Sequence, residues 1–133
     1  MNTRLIGSRF EEQACAYLED AGYRILARNY RVYNAEIDIV AAEKEQLVFI
    51  EVKYRRTFSF GYGQEHVDKR KQHKIFLAAQ QYLLRFHAKR TPPCRFDVIA
   101  IVRHGDTLNV EHYRHAFTPP QTVGHSHAYW QPW

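Results

Sequence analysis

A chain of 133 residues, 45% hydrophobic and 25% charged, has the length and balance of one folded domain, which excludes a disordered chain as the main reading. Cys15 and Cys94 form no metal-type pair or disulfide framework, Met1–Gly7 lacks a signal-peptide pattern, and no apolar run could span a bilayer. A small cytoplasmic protein with no membrane partner is therefore expected. Nineteen cations against fourteen anions give +5, and Lys53–Lys74 carries all of that excess, with seven cations and two anions.

The first predicted element is a helix over Ser8–Ala21, closed by Gly22. Phe10, Ala14, Tyr17, Leu18 and Ala21 recur at helical spacing on one face. Ser8 and Glu11 have capping-box spacing. Tyr23–Tyr33 reads as a strand or extended segment. Ile37–Ala42 and Leu47–Tyr54 are the clearest strands, rich in Ile and Val and separated by the polar Glu43–Gln46. The stretch Thr57–Gln64, with Gly61 and Gly63, reads as a loop. A long helix over Val67–Lys89 follows, with Ile75, Ala78, Ala79, Tyr82, Leu83 and Phe86 on one face, and Pro92–Pro93 stops it. Phe96–Val102 has the continuous apolar character of a buried central strand. His104–Thr107 turns into a last strand near Leu108–Tyr113. Periodicity ends at Thr118, so a domain over 1–117 and a Pro/aromatic tail over 118–133 are expected. The order αβββαββ implies an α/β or α+β single domain, a mixed sheet with helices against it.

The residues with chemical potential sit on the second and third strands. Alternation over Leu47–Arg55 puts Glu51 and Lys53 on one face with Leu47 and Phe49, and Val48, Ile50 and Val52 on the other. On the preceding strand Glu36 and Asp38 share a face, opposite Ile37 and Ile39. A hairpin centred on Lys44–Glu45 pairs positions that sum to 89, which sets Asp38 against Glu51 and Glu36 against Lys53. A slip of one residue would mix charge with the apolar face. Like charges directly opposite are destabilising, so the pair calls for a shared proton or a hard divalent cation such as Mg²⁺ or Mn²⁺. The competing reading is a surface hairpin with a Glu36–Lys53 ion pair, which leaves Asp38 against Glu51 unexplained. Glu11 falls at the edge of the first helix's apolar stripe, so it either reaches the sheet or closes the capping box.

Asp38 followed by Glu51-Val52-Lys53 across a hairpin resembles the core of the PD-(D/E)xK nucleases. More closely, residues 5–117 resemble the bacterial YraN-type family of uncharacterised, endonuclease-like proteins. The stretches that carry the resemblance are Gly22-Tyr23, Arg28-Asn29-Tyr30-Arg31, Glu36-Ile37-Asp38-Ile39-Val40-Ala41, Leu47–Lys53 with Arg55, Phe60-Gly61 with Glu65 and Val67, and Arg95–Ile99. The resemblance implies a restriction-endonuclease-like α/β fold, similar to archaeal Holliday-junction resolvases, and Mg²⁺-dependent cleavage of DNA. It implies that Asp38, Glu51 and the Val52 carbonyl hold the metal, that Lys53 orients or deprotonates the attacking water, and that Glu11 completes the acidic cluster. The chain departs from the family at Phe10 and Ala35, usually glycine, at Gly63 and Lys69, usually proline, and at Ile37, where the superfamily's proline stands. None of these changes removes an implied ligand.

Around this centre, Arg55, Arg56, Lys69, Arg70, Lys71 and Lys74 are candidate phosphate contacts, which position a duplex without reading its sequence. The alternative is a solvated basic face. Phe58, Phe60 and Tyr62 either stack on unpaired bases or anchor their loop. His112-x-x-His115 and His125-x-His127 have ligand-like spacing, but zinc is disfavoured with no cysteine nearby. Two function classes follow. One is a Mg²⁺-dependent endonuclease on branched, flapped or damaged DNA, expected to dimerise in order to read both arms of a junction. The other is a non-catalytic nucleic-acid- or protein-binding domain on the same scaffold.

Overall fold

The computed structural model describes residues 3–56 and 67–119, with residues 3–8 described by their backbone alone. The elements are α1 (Thr3–Asp20), β1 (Arg24–Val32), β2 (Ala35–Glu43), β3 (Gln46–Arg55), α2 (Lys69–Phe86), β4 (Cys94–His104) and β5 (Thr107–Phe117). They form an α/β domain whose five-stranded mixed sheet runs β1-β2-β3-β4-β5. Three neighbouring pairs are antiparallel, and β3 pairs β4 in parallel. A parallel pair needs a crossover, and the segment that carries α2 provides it.

Alternation decides which helix covers which face. Leu47 and Phe49 of β3 pack in a core with Ile75, Phe76, Ala79 and Leu83 of α2. Val48 and Ile50 pack in a second core with Ala14, Cys15 and Leu18 of α1. β4 divides likewise, with Phe96 and Val98 toward α2 and Ile99 and Ile101 toward α1. The sheet is thus covered on both faces, which explains why β3 and β4 read as continuous apolar runs.

The boundaries differ from the sequence expectation where local chemistry outweighs periodicity. α1 begins at Thr3 and runs through Gly7, so Ser8 lies inside the helix and caps nothing. A glycine inside a helix costs about 1 kcal/mol, a penalty this helix absorbs. The capping-box role of Glu11 falls with that. α2 is shorter than expected at both ends. Asp68 is its N-cap, accepting the Lys71 backbone N–H at 2.8 Å, and His87 closes it well before the two prolines. Gly22 (φ +93) ends α1 as expected, in a conformation that side chains with a Cβ rarely adopt.

A buried ionic network ties β4 to its neighbours on the α1 side. The β4–β5 register shifts between Phe96 and Val98, where His115 has φ +50, and the fully buried Asp97 accepts the His115 N–H at 3.1 Å. Arg95 Nε donates to both Asp97 oxygens, at 2.9 and 3.1 Å, while its Nη1 reaches Glu43 and Gln46, each at 2.9 Å. His112 Nε2 lies 2.7 Å from Asp97, and its Nδ1 is 3.1 Å from the Tyr17 hydroxyl on α1. His112 is therefore a structural link between α1 and the sheet. Burial pushes the Asp97 carboxyl up, but His112, Arg95 and the His115 amide outweigh it and hold the group below its ordinary range.

Asp97→Ala removes the fully buried partner of Arg95 Nε and of His112 and is expected to cost about 3–5 kcal/mol. Glu43→Ala, at a site a quarter exposed, is expected to cost about 1 kcal/mol. Urea unfolding followed by circular dichroism measures both, and equal losses would mean that burial does not set the weight of each partner of Arg95.

Candidate active site

β2 leaves strict alternation at Asp38. Ile37 packs in the α2-side core and Ile39 in the α1-side core, so the expectation that both lie on one face is corrected. The β1–β2 register steps from Arg28↔Ile39 to Tyr30↔Ile37, passing over Asn29 and Asp38. Asn29 has φ +52, a left-handed conformation that asparagine tolerates better than most residues.

The β2–β3 hairpin takes the expected register, since each observed pair from Glu43↔Gln46 to Ile39↔Ile50 sums to 89. Pairing stops there. The face-to-face pairs expected next, Asp38 with Glu51 and Glu36 with Lys53, are absent from the ladder. A buried amide released from a ladder needs another acceptor. For Val52 that acceptor is Asp38 Oδ2, which takes the N–H at 2.8 Å. Glu36 instead faces Arg31 of β1 at 3.6 Å.

A cavity of about 340 Å³ opens at this break. Its walls include Glu36, Asp38 and Glu51 from the sheet and Arg70, Lys71 and Lys74 from the first turns of α2. Lys71 Nζ reaches Glu51 Oε1 at 2.8 Å; the Glu51 side chain is 5% exposed and that of Lys71 is 52% exposed. This contact was not legible in the sequence, which assigned Lys71 to phosphate. Nothing in local spacing brings residues 51 and 71 together, and the crossover does.

Asp38 is the most perturbed group of the site, with its carboxyl pushed up to about 8. Burial is the main cause and the neighbouring Glu51 charge the second; the Val52 amide opposes both, Glu11 adds to the rise and Lys71 opposes it. Burial also disfavours the charged form of Lys71, but its bond to Glu51 and the surrounding carboxylates raise it overall.

The remaining expected residues divide around the cavity. Glu11 does face the sheet: it accepts from Asn29 Nδ2 at 3.2 Å and lies 3.8 Å from Arg28. Among the described residues, however, no three Asp, Glu, His or Cys side chains converge to hold a metal. Glu11 acts on Asp38 through space, raising its carboxyl. Lys53 sits on the Glu51 face of β3, half-buried, beside the cavity rather than in its wall. Arg55 is half-buried, whereas Arg56, Lys69 and Arg70 are exposed. Phe58, Phe60, Gly61, Tyr62, Gly63 and Glu65 lie outside the described residues. Of the family departures, Phe10 stacks on Tyr54 with ring centroids 4.2 Å apart, and Ala35 is buried in the α2-side core.

The donor set can be tested against Mg²⁺, which takes one or two carboxylates and completes its octahedron with water and substrate phosphate. Asp38 and Glu51 meet that requirement. The Lys71 ammonium against Glu51 is a stand-in cation that shows the position favours positive charge.

Comparison with known proteins places this geometry in a family. A model described as the uncharacterised protein family UPF0102 matches residues 10–101. A UPF0102 protein of Syntrophotalea carbinolica is 48% identical over 84% of this chain and 90% of its own length. One of Lachnoclostridium phytofermentans is 45% identical over 77% and 87%. Another, of Nitratidesulfovibrio vulgaris, is 34% identical over 96% and 94%.

The raised Asp38 carboxyl sets a direction for stability. From the ordinary carboxylate range up to about pH 8, the folded protein holds a proton that the unfolded chain has released. Metal-free protein is therefore expected to lose stability as pH rises from 5 to 8. Asp38→Asn removes most of that slope in thermal unfolding with EDTA. Equal slopes in the two proteins would place the proton elsewhere.

Proposed function

The chain belongs to the uncharacterised protein family UPF0102, and from the site it builds we propose that it is a divalent-metal-dependent endonuclease acting on DNA phosphodiesters. One observation carries the reading. Two carboxylates, the buried Glu51 and the half-buried Asp38, meet at a strand break in the wall of a cavity that α2 lines with Arg70, Lys71 and Lys74. Acids that bind a cation, beside cations that bind phosphate, are what hydrolysis of a polyanion requires.

When bound, Mg²⁺ would supply Lewis acidity at the phosphoryl oxygen and lower the pKa of its water. The chain's residues do the rest. Asp38 and Glu51 would hold the ion, with help from the Val52 carbonyl. The Val52 N–H fixes the Asp38 carboxylate, so the ligand is oriented before any metal arrives. Lys53, on the Glu51 face of β3, would orient the water and stabilise charge developing on the phosphate. Arg70 and Lys74 would grip the flanking phosphates, and Arg56 and Lys69 extend that basic surface. Branched or damaged DNA is the substrate class proposed, with a second copy of the chain contacting the other arm.

A second reading has its own observation. Lys71 already neutralises Glu51, so the site can persist without metal and the domain could bind nucleic acid or protein without cutting.

The decisive assay takes labelled linear, flapped and four-way-junction DNA with Mg²⁺, Mn²⁺ or EDTA. Metal-dependent cutting is expected, reduced about 100-fold or more in Asp38→Asn, Glu51→Gln and Lys53→Ala. Tight binding without cutting, indifferent to EDTA, would establish the second reading. In binding assays across salt concentrations, Arg70→Ala with Lys74→Ala is expected to lower the slope of log K against log salt by about 1.8. An unchanged slope would remove this face from the interface.

A further inference from the structure

We infer that Lys71 is an internal counter-ion, seated on Glu51 in the metal-free protein and displaced when a divalent cation takes the Asp38 and Glu51 carboxylates. The inference rests on the metal-dependent reading above and deepens it.

Position is the first argument. Lys71 lies in the opening turn of α2, where the sequence Lys69-Arg70-Lys71 places three cations and no acid. A helix start carries partial positive charge and favours anions, so the helix itself gives a lysine no reason to be there. What holds the ammonium is Glu51, at 2.8 Å.

Incomplete satisfaction is the second. One ammonium faces two carboxylates, and its contact is with Glu51; Asp38 takes its hydrogen bond from the Val52 amide instead. The ammonium engages only one of the two acids, whereas a divalent ion can take both. Ease of exchange is the third. The Lys71 side chain is 52% exposed, so its head can leave without opening the core. The backbone N–H that α2 needs at this position stays bonded to Asp68 when the side chain moves.

Exchange also makes the cavity more positive. With every carboxylate ionised, Glu36, Asp38, Glu51 and Asp68 against Arg70, Lys71 and Lys74 leave a formal charge of −1. A divalent ion makes that +1, and the released ammonium remains among the residues facing the substrate. The loaded cavity therefore attracts phosphate more strongly than the metal-free one.

The test is calorimetric titration of Mn²⁺, without DNA, into the metal-stripped full chain and three variants. Lys71→Met is expected to bind Mn²⁺ about tenfold more tightly than wild type. Lys71→Arg keeps the charge and is expected to stay near wild type. Lys74→Met removes the same charge from the same cavity but not from Glu51, and is expected to change affinity less than about threefold. Thermal unfolding gives an independent reading: Mn²⁺ should raise the Tm of Lys71→Met more than that of wild type. If wild type binds Mn²⁺ and Lys71→Met matches Lys74→Met, the counter-ion role falls while the metal site stands. If no protein of the set binds Mn²⁺, both fall.

Discussion

Two carboxylates held out of water at the end of a hydrogen-bonded ladder set the terms for the rest of this site. The hairpin brings Asp38 and Glu51 to neighbouring strands, and the covered sheet buries Glu51 and half-buries Asp38. Like charges in such a place must find a proton, a cation or a donor, and the structure uses all three. Asp38 holds its proton far above the ordinary range, Lys71 stands against Glu51, and the Val52 amide fills the remaining acceptor. Each is a partial answer, which is why a divalent ion improves on them.

The same fold contains a control for that argument. Asp97 is also a buried aspartate at a ladder irregularity, and it also accepts a backbone N–H. There the resemblance between the two ends. Arg95 and His112 saturate Asp97 and hold its carboxyl low, whereas Asp38 faces another acid and is driven high. One aspartate is a finished structural joint. The other is left with unmet demand, and unmet demand beside a cavity is a mark of a working site.

Much of this was legible before the fold was. The pairing sum of 89 followed from the polar turn and from the requirement that apolar side chains share a face. The two faces of β3 followed from alternation alone. What stayed hidden was whatever depended on the crossover or on a departure from regularity. Alternation assumes an unbroken strand, so it could not show that Ile37 and Ile39 part company around Asp38. Residue spacing could not show Lys71 on Glu51, because α2 docks from twenty residues away. Ser8 looked like a cap because Glu11 follows at capping-box spacing, and the helix ran through it. The Arg95 network escaped notice because its members are scattered over residues 17 to 115.

The parallel pairing of β3 with β4 has a consequence for how the site comes into being. The acids reside in the β1–β2–β3 meander, whose contacts are local and whose closure is fast. The cations of α2 arrive with the segment between β3 and β4, which must fold back along the whole sheet before a single parallel bond forms. Charge balance at the cavity thus depends on a long-range closure, because the acids and the cations that face them belong to segments that only the crossover brings together.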